Sequence, residues 1–359
     1  MLLEYVEAHN FRLFKNISID FTEGLHIFFG ENASGKTSIL ESINYLCSCK
    51  SFLSATPRRI LRKNSADFFV RGRFLIDHNR SQSMSISWRD QKIGLKLGYE
   101  NIYKSSEYAA FQPILAIGPF SYRLIDESPD IRRKFIDWGV FHVKHGYSMI
   151  SRDFNRALMQ RNKLLQQGVE SHLLNAWDTE FIKLAIKLDK YRADYIDLFR
   201  EQLAKLCRIL LPDDQLDIHY SCGWERDKSL DKILEKTYQK DIERRFTYFG
   251  PQRADLSIFL NGLNVKETAS RGQKKIITFA LYLAQMQLQN NQGKKKGILM
   301  IDDMPSELDK KHIGMVIELI STMDIQILMS CISPDLLNLQ SDEVSRMFHV
   351  KQGELVKVV

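Results

Sequence analysis

The stretch GENASGKTSIL, residues 30–40, places four residues between Gly30 and Gly35 and follows them at once with Lys36 and Thr37. This G-x-x-x-x-G-K-T spacing suits a polyphosphate. The glycines let the backbone curl so that successive N–H groups converge on oxygen atoms, and a helix beginning near Lys36 adds the positive end of its dipole. The expected cradle is Gly30, Glu31, Asn32, Ala33, Ser34, Gly35, Lys36, Thr37 and Ser38. Lys36 is expected on the β- and γ-phosphates and Thr37 on a magnesium ion.

Such a loop needs a second group on the magnesium side, and GILMIDDMPSELD, residues 297–309, supplies one. Four apolar residues lead into Asp302, so its carboxylate emerges from the end of a buried strand, where the metal's water shell belongs. Asp303 is then placed to polarise an attacking water. The expected catalytic set is Lys36, Asp302 and Asp303, the metal set Thr37 and Asp302, and the cofactors ATP and Mg2+.

The elements that position these groups are legible as well. Ile17, Ile19 and Phe21 alternate with polar residues, the period of a half-buried strand, and LHIFF runs continuously apolar up to Gly30. Beyond the loop, Ile39, Leu40, Ile43 and Leu46 recur at helical spacing. FFVRGRFLI and SMSISW predict an antiparallel sheet in the first lobe. From 128 to 211 helical periods dominate, and Trp177, Phe181, Leu184, Leu188, Tyr191, Tyr195 and Leu198 form a short heptad seam, which favours a small bundle over a protruding coiled coil. Strand patterns return with FTYFG and LSIFLNG, then GILMI and IQILMSCI, before a last hairpin at Gln352 and Gly353. The α/β pattern at both ends predicts one nucleotide domain assembled from residues 1–115 and 245–359, with 116–244 as an inserted helical lobe.

Composition narrows the class. A 359-residue chain with 26% charged residues and a net charge of +7 has room for two lobes and a mildly basic surface, compatible with nucleic acid as a partner. Five cysteines without C-x-x-C spacing read as buried hydrophobes in a reducing compartment. The first residues carry acids and no basic n-region, and no apolar run reaches eighteen residues, so a cytoplasmic protein without a membrane span is expected. His142 and His145 lack ligand partners nearby in sequence and read as structural.

Further motifs carry a family resemblance. In TASRGQKK, Ser270, Arg271, Gly272 and Gln273 open an amphipathic helix and resemble the signature of ABC-type ATPases, and SELD, ending in Asp309, resembles their D-loop. Together with NFRLFKNISIDF, SPDIRRKFIDWGVFH and FGPQRADLSIFLNG, these motifs make the chain similar over its whole length to the RecF family. The resemblance implies an ABC-type P-loop ATPase head of α/β class. It implies ATP held between the P-loop of one subunit and Ser270, Arg271, Gly272, Gln273 and Asp309 of the other, so that ATP closes a homodimer. It also implies binding of single-stranded and of gapped or junction duplex DNA and slow, DNA-stimulated hydrolysis in recombinational repair, replication and the SOS response to DNA damage, with help to RecR and RecO in loading RecA. Three places depart from the pattern: SCISPD offers Ser330 or Ser333 instead of a switch histidine, Asp303 stands where many relatives have Glu, and Gln252 stands where a histidine is expected; Gln112 is the candidate Q-loop residue only by position.

For DNA, Lys50, Arg58, Arg59, Arg62 and Lys63 form an acid-free run able to neutralise phosphates, or else a solvated face. Arg71 and Arg73 share a strand face and either extend that surface or pair with local acids. Lys294, Lys295 and Lys296 precede the Asp302 strand at the end away from the nucleotide and read as solvation. The competing function is a small-molecule P-loop kinase, which has no use for the Ser270 motif. An SMC-type head with a long coiled-coil arm finds too little chain in residues 128–211.

Overall fold

The computed structural model describes residues 1–54, 56–77, 80–168, 171–293, 295–337, 339 and 344–357. The chain divides into two compact units, Met1–Tyr122 with Lys275–Val359, and Arg123–Lys274. The divisions fall at Tyr122 and Lys274 where the sequence suggested 115 and 244, so the Ser270 motif belongs to the helical unit.

The first unit opens with strands β1 (Leu2–Phe11), β2 (Phe14–Asp20) and β3 (Leu25–Phe29), then helix α1 (Lys36–Ser48). Strands β4 (Phe68–Asp77), β5 (Arg80–Arg89), β6 (Lys92–Leu97) and β7 (Glu100–Asn101) follow, then α2 (Ser105–Ala109) and β8 (Ile114–Ile117). The antiparallel sheet has the order β2-β1-β4-β5-β6-β7. Its alternation is visible in β4, where Phe68, Val70, Gly72 and Phe74 are buried while Phe69, Arg71 and Arg73 face out. Gly72 has a packing reason, because a Cβ there would stand 2.7 Å from Leu46 of α1.

The helical unit contains α3 (Arg123–Asp126), α4 (Pro129–Val143), α5 (Tyr147–Gln167), α6 (Ser171–Leu210), β9 (Leu216–Ser221), α7 (Leu230–Arg244), β10 (Asp255–Leu260), β11 (Leu263–Asn264) and α8 (Val265–Thr268). The seam of α6 is buried at Phe181, Leu184, Leu188 and Tyr195 against neighbouring helices, so the lobe is a bundle. Strands β9, β10 and β11 make a small antiparallel sheet. FTYFG is not a strand. The Thr247 N–H bonds the Asn162 side chain at 2.8 Å and the Tyr248 N–H bonds Asp241 at 3.0 Å, so side-chain acceptors take the place of a strand partner.

Helix α9 (Arg271–Gln292) begins in the helical unit and continues in the first. Strand β12 (Ile298–Ile301), helices α10 (Met304–Glu307) and α11 (Lys310–Ser321), strand β13 (Gln326–Cys331) and the hairpin of β14 (Arg346–Lys351) and β15 (Glu354–Lys357) complete the first unit. The second sheet there has the order β15-β14-β3-β13-β12-β8 and is parallel except at β15. Strand β3 lies between β14 and β13, which is why Ile27 and Phe28, on opposite faces of LHIFF, are both fully buried. Apolar side chains of α1 join one core with residues of both sheets.

Candidate nucleotide site

The register of the parallel sheet decides which loops meet. Cys331 pairs with Phe29, and Ile301 pairs with Met329 and Ile117, so the loops after β3, β12, β13 and β8 leave from one edge. That carboxyl edge is where open α/β sheets bind ligands.

The loop after β3 has the backbone its glycines permit. Gly30, Ala33 and Gly35 have φ of 146°, 62° and 118°. A Cβ on Gly30 would lie 2.3 Å from the Val350 carbonyl oxygen, and one on Gly35 would lie 2.8 Å from the Phe14 ring, so the turn is tight on both sides. Gly35 caps α1 without a side-chain hydrogen bond, which leaves the helix N–H groups aimed into the loop. Glu31, Asn32 and Ala33 are exposed at the apex, and Ser34, Gly35 and Lys36 are buried. The Gly353 N–H of the β14–β15 turn holds the Ser34 carbonyl at 3.1 Å, while the buried Ser34 hydroxyl has no partner among the described residues.

Lys36 folds over the loop. Its Nζ donates to the Gly30 and Glu31 carbonyls at 2.7 and 2.8 Å. Burial lowers its pKa, and Asp303 and Asp302 oppose that shift. Thr37 Oγ1 donates to Asp302 Oδ1 at 2.9 Å across 265 residues of sequence, and Ser38 follows on the first turn of α1. Asp302 is 6% exposed, and burial raises its pKa against hydrogen bonds from Ser330 and Thr37. Asp303 has left-handed φ and ψ of 52° and 47°, and its Oδ1 is buried without a hydrogen-bond partner among the described residues. These groups fit a phosphate chain with a hard cation: amides for phosphate, a hydroxyl and a carboxylate for magnesium, and one carboxylate oxygen left over.

Ser330 and Ser333 part company. The fully buried Ser330 hydroxyl donates to Asp302 at 2.6 Å and accepts from the Asp303 N–H at 2.9 Å, so it braces both acids and has no proton left for phosphate. Ser333 is half-buried and bonds Asp335 at 3.0 Å. Gln112 is misplaced as a Q-loop residue. It precedes β8, at the edge opposite the nucleotide loop, and its amide donates to the Pro113 and Lys296 carbonyls. The loop that does leave the right edge is residues 118–121. A Cβ at Gly118 would lie 3.1 Å from the Asp302 Cβ, and Phe120 stacks on Phe52 at 4.7 Å.

In the helical unit, Ser270 and Gln273 form a reciprocal cap. Ser270 Oγ accepts from the Gln273 N–H at 3.2 Å, and Gln273 Oε1 accepts from the Ser270 N–H at 2.9 Å. The Ser270 proton stays available, and Ser270, Arg271, Gly272 and Gln273 are all exposed. Gln252 of the helical unit bonds the Phe249 carbonyl at 2.9 Å. In the first unit, Asp309 caps α11 through the His312 N–H at 3.0 Å, and the His312 backbone and ring hold its pKa low.

Among the basic candidates, Lys50, Arg58, Arg59 and Lys63 are exposed, Arg62 is half-buried, and none forms an ion pair among the described residues. The segment is tied to α1 by a device the sequence reading missed. Arg12 grips the fully buried Glu41 through Nε and Nη2, both at 2.6 Å, and donates from Nη1 to the Arg59 carbonyl at 2.7 Å. Ser51 also hydrogen-bonds Glu41. The available signal was an acid within the apolar face SILESINYL, since a carboxylate there must be paired. Arg71 and Arg73 lie beside Glu7 and Glu4 at 3.9 and 3.2 Å, so local acids engage both. Lys294 lies outside the described residues. Lys295 is not a solvated lysine, because its Nζ bonds the Ala110 and Phe111 carbonyls. Lys296 pairs with Asp324.

Residues 2–356 match the family model for the RecF/RecN/SMC N-terminal domain. The DNA replication and repair protein RecF of Pseudoalteromonas translucida is 35% identical, with 99% of this chain and 100% of that one covered. The protein of the same name from Hydrogenovibrio crunogenus is 32% identical over 98% of each chain. Among solved structures, the recombination mediator protein RecF-ATP in the RecFOR pathway superposes with a TM-score of 0.88 at 23% identity, covering 100% of this chain and 98% of that one. An Smc head bound to the C-winged helix domain of ScpA gives 0.60 at 14% identity, covering 100% and 98%. At those identities the structural likeness shows an ABC-type head fold. Full-length matches above 30% identity and the family model together establish that the chain belongs to the RecF family.

Proposed function

We propose that this chain is an ATP-switched DNA-binding protein of replication and recombinational repair, working in the cytoplasm as a homodimer that closes when ATP binds. The observation that carries the reading is the meeting of Thr37 and Asp302 at 2.9 Å beside Lys36, at the carboxyl edge of a parallel sheet. RecF-named relatives and an ATP-bound RecF of the same fold support it.

When bound, magnesium supplies charge neutralisation at the phosphates. The loop amides and Lys36 hold the β- and γ-phosphates, with Lys36 leaving the Gly30 and Glu31 carbonyls to do so. Thr37 and Asp302 would hold the cation, giving up their mutual hydrogen bond to do so. Asp303, with one oxygen unpartnered among the described residues, orients a water for a slow ATPase in which turnover resets the switch. The exposed Ser270 hydroxyl at a helix N-terminus is offered to the γ-phosphate held by a second subunit, and Asp309 is assigned to the same dimer contact. ATP then joins two copies, and hydrolysis releases them. Lys50, Arg58, Arg59, Arg62 and Lys63 contact DNA, Arg71 and Arg73 flank them, and RecR and RecO are the partners in loading RecA.

Sedimentation with and without ATP and magnesium tests this. The wild type should shift from monomer to dimer only with ATP, and Lys36→Met should neither bind ATP nor shift. Asp303→Asn should bind ATP and persist as a dimer. A wild type that stays monomeric at all concentrations, with DNA present, removes the clamp and leaves the small-molecule kinase as the reading to pursue.

A further inference from the structure

We infer that helix α7 and the loop after it form a second phosphate-backbone contact, in the helical unit, that takes duplex DNA without reading its sequence. This rests on the DNA-binding reading above but uses different residues. Lys232, Lys236, Lys240 and Arg244 recur every four residues along α7, and all are exposed. Positions four apart lie on one ridge of a helix, so the row runs about 18 Å at about 1.5 Å per residue. Arg253 extends the row from the following loop. None of the five forms an ion pair among the described residues, although Glu235 and Glu243 lie exposed on the same helix.

The end of the ridge is a built structure. Lys240, Arg244 and Arg253 gather on the half-buried Tyr248 ring, at 4.3, 4.7 and 5.6 Å from its centroid. Arg253 also lies 5.3 Å from the Phe246 ring. Tyr248 is fixed from below, because its N–H bonds Asp241, which is fully buried and paired with the fully buried Arg161 at 2.8 Å. Cations laid on a ring keep their outer N–H groups free and lose little rotamer freedom when an anion arrives.

The occupant follows from what the patch lacks. A protein partner is anchored by apolar or aromatic side chains in its buried centre. The large exposed apolar residues of this unit, such as Met149, Met159, Ile186 and Leu263, lie on other elements. With three cations at the Tyr248 ring, base stacking, the mode of single-strand binders, is disfavoured. Here the aromatic rings of the patch, Tyr248 and Phe246, are covered by the chain's own cations and are not offered to a partner, so the surface presented is a cation row, which fits the regular charge of a duplex.

The test uses the full chain with ATP and magnesium, a blunt 30-base-pair duplex as probe, and the variant Lys236→Gln/Lys240→Gln/Arg244→Gln. Each lost phosphate contact removes about 0.9 from the slope of log affinity against log salt, so the variant should lose about 40-fold less affinity than the wild type between 50 and 200 mM salt. ATP-driven dimerisation should be unchanged, and Lys236→Arg/Lys240→Arg should restore the slope. An unchanged slope overturns the inference, including the case in which the variant instead fails to bind purified RecR or RecO, which would make the ridge a protein-docking surface. A uniform loss at every salt concentration also overturns it, as damage to the fold. A wild type that binds no duplex refutes the DNA-binding reading itself.

Discussion

Replacing Ser330 with alanine separates two roles for a hydroxyl at the nucleotide site. The hydroxyl donates to a carboxylate that is 6% exposed and accepts from the Asp303 N–H, at 2.6 and 2.9 Å. A hydrogen bond to a charged group contributes about 1.5–3 kcal/mol, and an orphaned buried N–H costs about 1–3 kcal/mol. Neighbouring effects do not add fully, so Ser330→Ala should destabilise the nucleotide-free protein by about 2–4 kcal/mol in denaturant unfolding. The lost donor also lets the Asp302 pKa rise further, since Ser330 is the first of the groups opposing its burial. Less carboxylate is then available as pH falls, so the magnesium needed for half-maximal ATP binding should rise and recover partly as pH increases. If the variant is as stable as the wild type within about 0.5 kcal/mol, needs no more magnesium and loses only turnover, the bracing argument is wrong and the hydroxyl acts on phosphate.

Three further outcomes follow from the same geometry. Asp302 has a raised pKa, so it binds its proton more tightly folded than unfolded, and without magnesium stability should fall as pH rises from the ordinary aspartate range through the folded value. Asp302→Asn should flatten that decline in thermal unfolding with EDTA and abolish the stabilisation that magnesium and ATP give. Arg12→Ala leaves the fully buried Glu41 carboxylate without its cation, with the Ser51 hydroxyl still bonded to it, and should cost about 3–5 kcal/mol, most of it recovered in Arg12→Leu/Glu41→Leu, as measured by denaturant titration. Ser270→Asp keeps a good helix cap, so stability should stay within about 0.5 kcal/mol of wild type, yet it sets a negative charge where a partner's phosphate would lie. ATP-driven dimerisation should then be lost in sedimentation, and a normal dimer would remove Ser270 from the interface.

Sequence by itself determined the strand, glycine loop and helix around Lys36, because phosphate chemistry restricts residue type and spacing within one short window. The apolar run before Asp302, the alternation in β4 and the seam of α6 were equally local, each expressing one element's burial pattern. What only the tertiary structure decided was assembly across hundreds of residues. Thr37 meets Asp302 because α1 and β12 converge on one sheet edge, and strand order cannot be deduced from either segment. Ser330 reads as a free hydroxyl near the end of a strand until the register shows it between two acids, and Gln112 reads as a loop glutamine until the sheet puts it at the opposite edge. FTYFG has strand composition but takes its hydrogen bonds from Asn162 and Asp241, partners fixed by helix packing. The cations of α7 were in plain view as letters, yet their meeting with Arg253 at Tyr248 depends on the buried Arg161–Asp241 pair, which only the folded chain brings together.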